Sequence, residues 1–150
     1  MTTRAAVDGV LNGKSLAVIG VSRNPQKFGN MVVKELSEKG FKLFPIHPQL
    51  DQVNGVPCYS SFEALPEAPS AAFVAVAPEK SAAAVKEAHQ AGIRNIWIQQ
   101  MAQSDEALQY CRDNDISFVS GECILMYAEP VGSIHKFHRF FKKLFGRMPK

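Results

Sequence analysis

Short apolar segments alternate with helical segments along most of this chain, and this alternation restricts the fold more than any other feature. Five segments are apolar, rich in strand-forming residues and too short for helices. They are Leu16–Ile19, Phe41–Ile46, Ala71–Val76, Asn95–Ile98 and Ile116–Val119. Strands that alternate with helices form βαβ units with right-handed crossovers. The sequence therefore predicts an α/β fold, a Rossmann-like doubly wound parallel sheet of about five strands with flanking helices.

The first strand-to-helix connection has the composition of an anion-binding loop. The strand ends at Gly20, a polar loop containing Arg23 and Lys27 follows, and Gly29-Asn30 leads into a segment with apolar residues at helical spacing. In open α/β sheets, such a loop points backbone N–H groups at an anion, and the helix dipole favours a phosphate there. This connection is therefore a candidate nucleotide-binding site.

The same connection lacks the pattern of a dinucleotide site. After Gly20 there is no glycine until Gly29, whereas the Gly-x-Gly-x-x-Gly pattern needs three close glycines. The second predicted strand ends at His47-Pro48, where an NAD-binding fold usually has an acid for the ribose hydroxyl. With Arg23 and Lys27, these residues favour a ligand with several phosphates. An NAD(P)-binding oxidoreductase is kept as an alternative hypothesis.

Proline, serine and glycine mark the bounds of the other predicted helices. Pro78 lies in the first turn of a helix that ends at Gly92, and Ser104 is the N-cap of the next. Ser60–Pro66 is predicted as a short helix, and Met1–Gly13 as a leader segment with one helical turn around Arg4–Leu11.

Length and composition are typical of one cytoplasmic domain. At 150 residues and 46% apolar content, the chain can bury a substantial core, and we expect a single domain over 1–150 with its core at about 14–125. The first fifteen residues lack the apolar centre of a signal peptide. Three widely spaced cysteines, without a Cys-x-x-Cys pair, indicate neither a disulfide framework nor a metal site.

The C-terminal segment differs in charge from the rest of the chain. Residues 1–131 carry 11 basic and all 14 acidic residues, a net charge of −3, whereas the last nineteen residues carry six basic residues and no acid. Apolar residues recur at three- and four-residue steps, which predicts a basic amphipathic helix over about 130–146. A homodimer or a protein partner bound through this helix is a second alternative function. We expect no nucleic-acid binding and no membrane contact.

The first loop also resembles a known family. Gly20–Asn30 is similar to the first loop of the stand-alone coenzyme A-binding domains, which resemble the N-terminal domain of the succinyl-CoA synthetase α subunit. Further matching segments are Ile46–Pro48, Val56–Ser61, Leu65-Pro66, Val74–Pro78, Ala91-Gly92, Trp97–Gln99 and Gly121–Cys123. The resemblance covers about residues 14–125. The chain departs from the family at His47, at Gln100-Met101, where glycine is usual, and after Glu129.

This resemblance implies non-catalytic binding of coenzyme A or an acyl-CoA. The pyrophosphate is expected at the Gly20 loop, the adenosine near His47-Pro48, and the rest of the ligand along the ends of the third and fourth strands. The implied cofactor-binding residues are Gly20, Val21, Ser22, Arg23, Asn24, Pro25, Lys27, Gly29, Asn30, His47, Pro48, Val76, Ala77, Pro78, Ile98 and Gln99. No catalytic residue and no metal ligand is expected.

Overall fold

Five parallel strands and four helices make up most of the computed structural model, which describes residues 3–127. The sheet contains β1 (Ser15–Ile19), β2 (Lys42–Ile46), β5 (Ala71–Val74), β6 (Asn95–Gln99) and β7 (Ser117–Glu122). The short strands β3 (Gln52–Val53) and β4 (Val56–Pro57) form an antiparallel hairpin. The helices are α1 (Arg4–Leu11), α2 (Phe28–Glu38), α3 (Pro78–Gln90) and α4 (Asp105–Asp113), with 3₁₀ turns at Phe62–Ala64 and Ile124–Met126.

The strand order places a topological switch point in the middle of the sheet. The order is β2-β1-β5-β6-β7, and all neighbouring strands are parallel. The chain passes from β1 outward to β2 and then crosses over to β5 on the other side of β1. A crevice opens at such a point, outside the carboxyl ends of the strands, and ligands of open α/β sheets bind there. Here it lies between the ends of β1 and β5.

Two apolar layers cover the two faces of the sheet, which confirms the doubly wound α/β prediction. Leu16 and Val18 pack with α1 and α2, whereas Ala17, between them in the chain, packs with α3 and α4. Strands covered on both faces have continuous apolar runs, as observed here. Trp97 is fully buried and donates a hydrogen bond from Nε1 to the carbonyl oxygen of Glu122 at 3.0 Å, so this aromatic residue belongs to the core.

Proline occurs within β2 because β2 is an edge strand. Pro45 pairs with Val18 of β1 on one side of the strand. On the other side β2 has no neighbouring strand in the sheet that residues 3–127 form, so no sheet hydrogen bond is lost there because proline has no N–H. Its carbonyl oxygen still accepts a hydrogen bond from the N–H of Tyr59 at 2.9 Å. The segment after β4 thus covers the carboxyl end of this edge.

The structure corrects three local predictions. At the N-terminus, the turn predicted around Arg4–Leu11 is the eight-residue helix α1, which buries Val7 and Val10 against the sheet. Helix α2 begins at Phe28, so Gly29 and Asn30 lie inside its first turn rather than before it. The predicted helix at Ser60–Pro66 is only the 3₁₀ turn Phe62–Ala64, without a serine capping bond.

Two further predictions concern the C-terminal helix and membrane contact. The basic helix predicted over about 130–146 lies outside the described residues. Within residues 3–127, no helix is long and apolar enough to cross a membrane.

Candidate functional site

The crevice at the switch point is closed at its base by direct backbone packing. Gly20 has a φ of +129°, a conformation that favours glycine, and a Cβ atom at this position would overlap the carbonyl oxygen of Ala75. A Cβ atom on Gly29 would similarly overlap the carbonyl oxygen of Gly20. Both glycines therefore allow the end of β1, the end of β5 and the first turn of α2 to meet.

Asn30 connects the Gly20 loop to helix α2. Its side-chain Oδ1 accepts a hydrogen bond from the N–H of Ser22 at 2.8 Å, and its Nδ2 donates to the carbonyl oxygen of Ser22 at 2.7 Å. Asn30 is buried, so these bonds form largely away from water. Its own carbonyl oxygen accepts a hydrogen bond from Nδ2 of Asn54, in the turn between β3 and β4, at 2.8 Å. Asn30 thus positions the loop and joins it to the hairpin.

The rest of the loop is compact but exposed. The N–H of Asn24 donates to Oγ of Ser22 at 3.1 Å, and the N–H of Gln26 donates to Oδ1 of Asn24 at 2.9 Å. Such local bonds shape a tight turn. Arg23 and Lys27 are exposed, as is Pro25 between them, so both cations can reach a ligand above the loop.

The N-terminus of α2 has the electrostatics of an anion site. Lys27 is its N-cap residue and makes no side-chain capping bond. The first N–H groups of a helix have no intrahelical acceptor, and the helix dipole adds partial positive charge there. With Arg23 and Lys27 nearby, this end of the crevice favours a phosphate group.

An apolar cleft of about 290 Å³ extends from this end toward β6. Its walls are mainly hydrophobic side chains from the ends of three elements. The lining residues are Phe28, Ala75, Val76, Gln99, Gln100, Met101 and Ala102. The Phe28 ring packs against the buried ring of Phe73, with 6.5 Å between their centroids, which anchors the wall nearest the loop. The site thus has a cationic end and an apolar end.

Two glutamines supply polar groups in this cleft. Gln99 is largely buried, and its Oε1 accepts a hydrogen bond from the N–H of Ile124 at 3.1 Å. This bond ties the end of β6 to the segment after β7. Oε1 of Gln100 is buried and has no hydrogen-bond partner among the residues that the structure describes.

His47 lies at the carboxyl end of β2, beside the strand that leads into the Gly20 loop. It is partly buried, and its Nδ1 accepts a hydrogen bond from the N–H of Gln49 at 3.0 Å. Its backbone N–H donates to the carbonyl oxygen of Tyr59 at 2.8 Å. Pro48 is exposed beyond it. These contacts orient the imidazole at the border of the crevice.

The other predicted site residues divide by burial. The side chains of Val21 and Ile98 belong to the core, so only their backbone groups are available to a ligand. Ala77 and Pro78 are exposed at the start of α3, after Val76, which lines the cleft. Sequence reasoning missed five lining residues: Phe28, Ala75, Gln100, Met101 and Ala102. Each lies within three positions of a predicted site residue, so extending the predicted segments by a few residues would have included it.

The three thiols lie in environments that disfavour the reactive thiolate. Cys111 and Cys123 are buried, and burial raises the pKa of the Cys111 thiol to about 11. Burial also raises the pKa of Cys123, opposed by hydrogen bonds from the Gln99 side chain and nearby backbone groups. Burial likewise raises the pKa of Cys58, which is partly exposed. Residues 3–127 contain no group of three or more His, Cys, Asp or Glu side chains that could hold a metal ion.

Known proteins are similar in sequence to this chain. It is 34% identical over 95 residues to ADP-forming acetate–CoA ligase II of Archaeoglobus fulgidus, an alignment that covers 62% of this chain but only 14% of the ligase. It is 25% identical over 111 residues to the uncharacterized protein YneT of Bacillus subtilis, covering 74% of this chain and 82% of YneT.

A solved structure has the same fold as this chain and is also similar to it in sequence. A conserved hypothetical protein of Pyrococcus furiosus superposes with a TM-score of 0.68 and 34% identity, covering 73% of this chain and 95% of the other. The model of a family described as CoA binding domain matches residues 14–129. The chain therefore belongs to this family of CoA-binding domains, as the resemblance of its first loop indicates.

Proposed function

We propose that this protein binds coenzyme A or an acyl-CoA in the switch-point crevice and catalyses no reaction itself. The observation that carries the proposal is the junction of Gly20 with the first turn of α2, in a chain that belongs to a CoA-binding domain family. The N-terminus of α2 lies at that junction and the loop carries two exposed cations, Arg23 and Lys27, which together suit a pyrophosphate.

The two ends of the site correspond to the two ends of the ligand. Coenzyme A has a phosphorylated adenosine at one end and an uncharged pantetheine arm at the other. The cationic loop and His47 lie on the β2 side of the crevice, whereas the apolar cleft lies on the β6 side. We infer that the adenosine lies toward His47 and that the pantetheine arm runs past Val76 toward Gln99.

The site residues support binding more than chemistry. Cys123 follows the end of β7 near the cleft but is buried and has a raised pKa, so its thiol is a poor nucleophile. The ligase from Archaeoglobus fulgidus is matched over only 14% of its length, and we do not propose its ligation activity for this chain. We further propose that residues 1–150 form a single domain that works in the cytoplasm.

Isothermal titration with a panel of ligands tests this proposal. Purified protein is titrated with coenzyme A, acetyl-CoA, NAD and NADP under identical conditions. We expect micromolar or tighter binding of a CoA species and at least tenfold weaker binding of the nicotinamide cofactors. Binding of NAD or NADP alone would overturn the proposal in favour of an oxidoreductase. Binding of none of the four would direct attention to a protein partner, for which the C-terminal segment is the predicted contact.

A further inference from the structure

Met101 combines two unfavourable features at the mouth of the apolar cleft. Its φ of +76° lies in the left-handed region, where residues with a side chain are strained. The residue is 76% exposed, and among residues 3–127 it is the one large hydrophobic residue that is mostly exposed to solvent. The strained backbone and the exposed apolar surface thus occur together in a residue that lines the cleft.

Hydrogen bonds on both sides of Met101 hold it in this conformation. Its N–H donates to Oε1 of Gln103 at 3.0 Å. The N–H of Ala102 donates to the carbonyl oxygen of Gln99 at 2.9 Å, and the N–H of Gln100 donates to the carbonyl oxygen of Glu122 at 3.2 Å. Ala102 is itself buried, which fixes the chain just after Met101. The methionine is therefore presented at the rim by a well-braced turn.

The rim of the cleft is mostly apolar, apart from the buried Oε1 of Gln100. Met101, Val76 and Phe28 contribute apolar surface to the cleft, and Oε1 of Gln99 is already bonded to the N–H of Ile124. Methionine is flexible and polarizable, so it adapts to apolar groups of different shape. A contiguous apolar surface at a groove marks a binding site, and Met101 forms one cleft surface together with Phe28 and Val76.

We propose that Met101 packs over the acyl chain of an acyl-CoA, so that this site binds acyl-CoA more tightly than free coenzyme A. The inference rests on the proposed function, because it assumes that the CoA phosphates bind at the loop beside Phe28. From there the apolar cleft leads to Met101, and an acyl chain is the apolar extension that a CoA molecule carries at the end of its pantetheine arm. Met101 is then a determinant of ligand specificity.

A chain-length series tests this role. The dissociation constants of free coenzyme A, acetyl-CoA, butyryl-CoA and hexanoyl-CoA are measured by titration calorimetry for the wild-type protein. Full burial of a methylene tightens binding by about fourfold. Because the cleft is open on one side, we expect about twofold per methylene, and therefore a roughly 10- to 20-fold increase from acetyl- to hexanoyl-CoA.

Two substitutions at position 101 separate the side chain from the fold. Met101→Gly removes the side chain and relieves the strained φ, so its melting temperature should not fall. We expect the gain per methylene to fall well below that of wild type, because Val76 and Phe28 alone cover less of the chain. Met101→Leu keeps an apolar side chain and should retain most of the gain.

Three outcomes decide the proposal. Equal affinity of the wild-type protein for free coenzyme A and hexanoyl-CoA would overturn the role of the cleft. An unchanged gain per methylene in Met101→Gly would overturn the role of Met101. In both cases binding of coenzyme A would leave the proposed function intact, whereas failure of every CoA species to bind would overturn both.

Discussion

The side-chain amide of Asn30 pairs with both backbone polar groups of Ser22. One bond, from the Ser22 N–H to Oδ1, is 2.8 Å long, and the other, from Nδ2 to the Ser22 carbonyl oxygen, is 2.7 Å long. A residue in the first turn of α2 thus provides hydrogen-bond partners for the backbone of the loop that precedes this helix. Without this amide, two partly buried backbone groups would lose their partners, which costs more than the loss of an exposed hydrogen bond.

Asn30→Ala should therefore destabilise the protein strongly. We expect the free energy of unfolding to fall by about 2–3 kcal/mol, since two hydrogen bonds are lost and Ser22 is left unsatisfied. Urea unfolding followed by the fluorescence of Trp97, the only tryptophan and a buried one, measures the change. Asn24→Ala is the matched control, because its bond to the Gln26 N–H is exposed. A cost within about 0.5 kcal/mol is expected for that control. Equal costs for the two variants would contradict the role of Asn30.

Gly20→Ala should disrupt the fold, and with it the crevice. The added Cβ would overlap the carbonyl oxygen of Ala75, which belongs to the backbone, and a φ of +129° is unfavourable for alanine. We expect a loss of about 3 kcal/mol or more in the free energy of unfolding. A ligand titration of a Gly20 variant, including the larger valine, would therefore report on folding as well as on binding.

Gly121→Ala provides the comparison for this prediction. Gly121 also has a positive φ, +77°, but a Cβ there would meet no atom within 4 Å. Gly121→Ala should therefore lower the free energy of unfolding only through backbone strain, by about 1 kcal/mol. Thermal or urea unfolding of both variants separates the steric contribution from the conformational one. A Gly20→Ala protein as stable as Gly121→Ala would show that the contact with Ala75 is not as close as described.

The cations of the loop should influence affinity without affecting stability. Arg23 and Lys27 are exposed, so their replacement by alanine should change the free energy of unfolding by about 0.5 kcal/mol or less. Each substitution should weaken coenzyme A binding by about three- to tenfold at low salt, because a charge-assisted contact to phosphate is lost. The effect should shrink as added salt screens the charges.

Lys34→Ala is the matched control for the loop cations. Lys34 is also exposed and lies on α2, nearly two turns beyond its N-terminus. It carries the same charge, but we expect it to lie outside the phosphate site. Titration calorimetry at two ionic strengths compares the three variants. If Lys34→Ala weakened binding as much as Lys27→Ala, general attraction between charges would explain the result better than a phosphate contact at the loop.

Cys111 should make stability depend on alkaline pH. Burial raises its pKa in the folded protein to about 11, from an ordinary value of 9.0, and the charge of Arg112 opposes this shift. The neutral thiol is favoured in the fold, so its contribution is fully present below pH 9 and decreases as the pH rises toward 11. The decline in unfolding free energy between pH 8 and pH 10.5 should thus be steeper in the wild-type protein than in Cys111→Ala. Identical slopes in urea unfolding at these pH values would refute this assignment.

Alkylation should distinguish the three thiols by exposure. Cys58 is partly exposed, whereas Cys111 and Cys123 are buried. At pH 8 we expect iodoacetamide to modify Cys58 first, and the other two only when urea unfolds the protein, as peptide mass spectrometry can show. Rapid modification of Cys123 in the folded protein would show that this thiol is accessible, and would reopen the question of a reactive cysteine near the cleft.

Local patterns were sufficient to predict the class of the fold. The apolar runs became the five strands because a parallel strand covered on both faces must be apolar along its whole length. The serine at position 104 caps α4 as predicted, accepting a hydrogen bond from the N–H of Ala107 at 3.1 Å. Each of these features depends on neighbours in the chain or on one general rule of sheets.

The role of the N-terminal segment depended on contacts between distant residues. The helix at Arg4–Leu11 has a threonine cap, in which Oγ1 of Thr3 accepts from the N–H of Ala6 at 3.1 Å. Its importance comes from Val7 and Val10, which are buried in the same cluster as Trp97, some ninety residues later. An eight-residue helix is marginal by itself, and packing makes it part of the core. The partners in this packing are far from the helix in the sequence, so a pattern of neighbouring residues does not identify them.

The α/β class, a candidate anion-binding loop and the family resemblance could all be read from the sequence, since strand composition, glycine and charge are local properties. The construction of the site depends instead on contacts between residues that are far apart in the chain. The contact of Gly20 with Ala75 joins residues 55 positions apart, Asn30 proved to be a support for the loop, and Met101 came to line an apolar cleft at a strained φ. These relationships depend on which strands become neighbours at the switch point, and strand order is a property of the folded sheet as a whole.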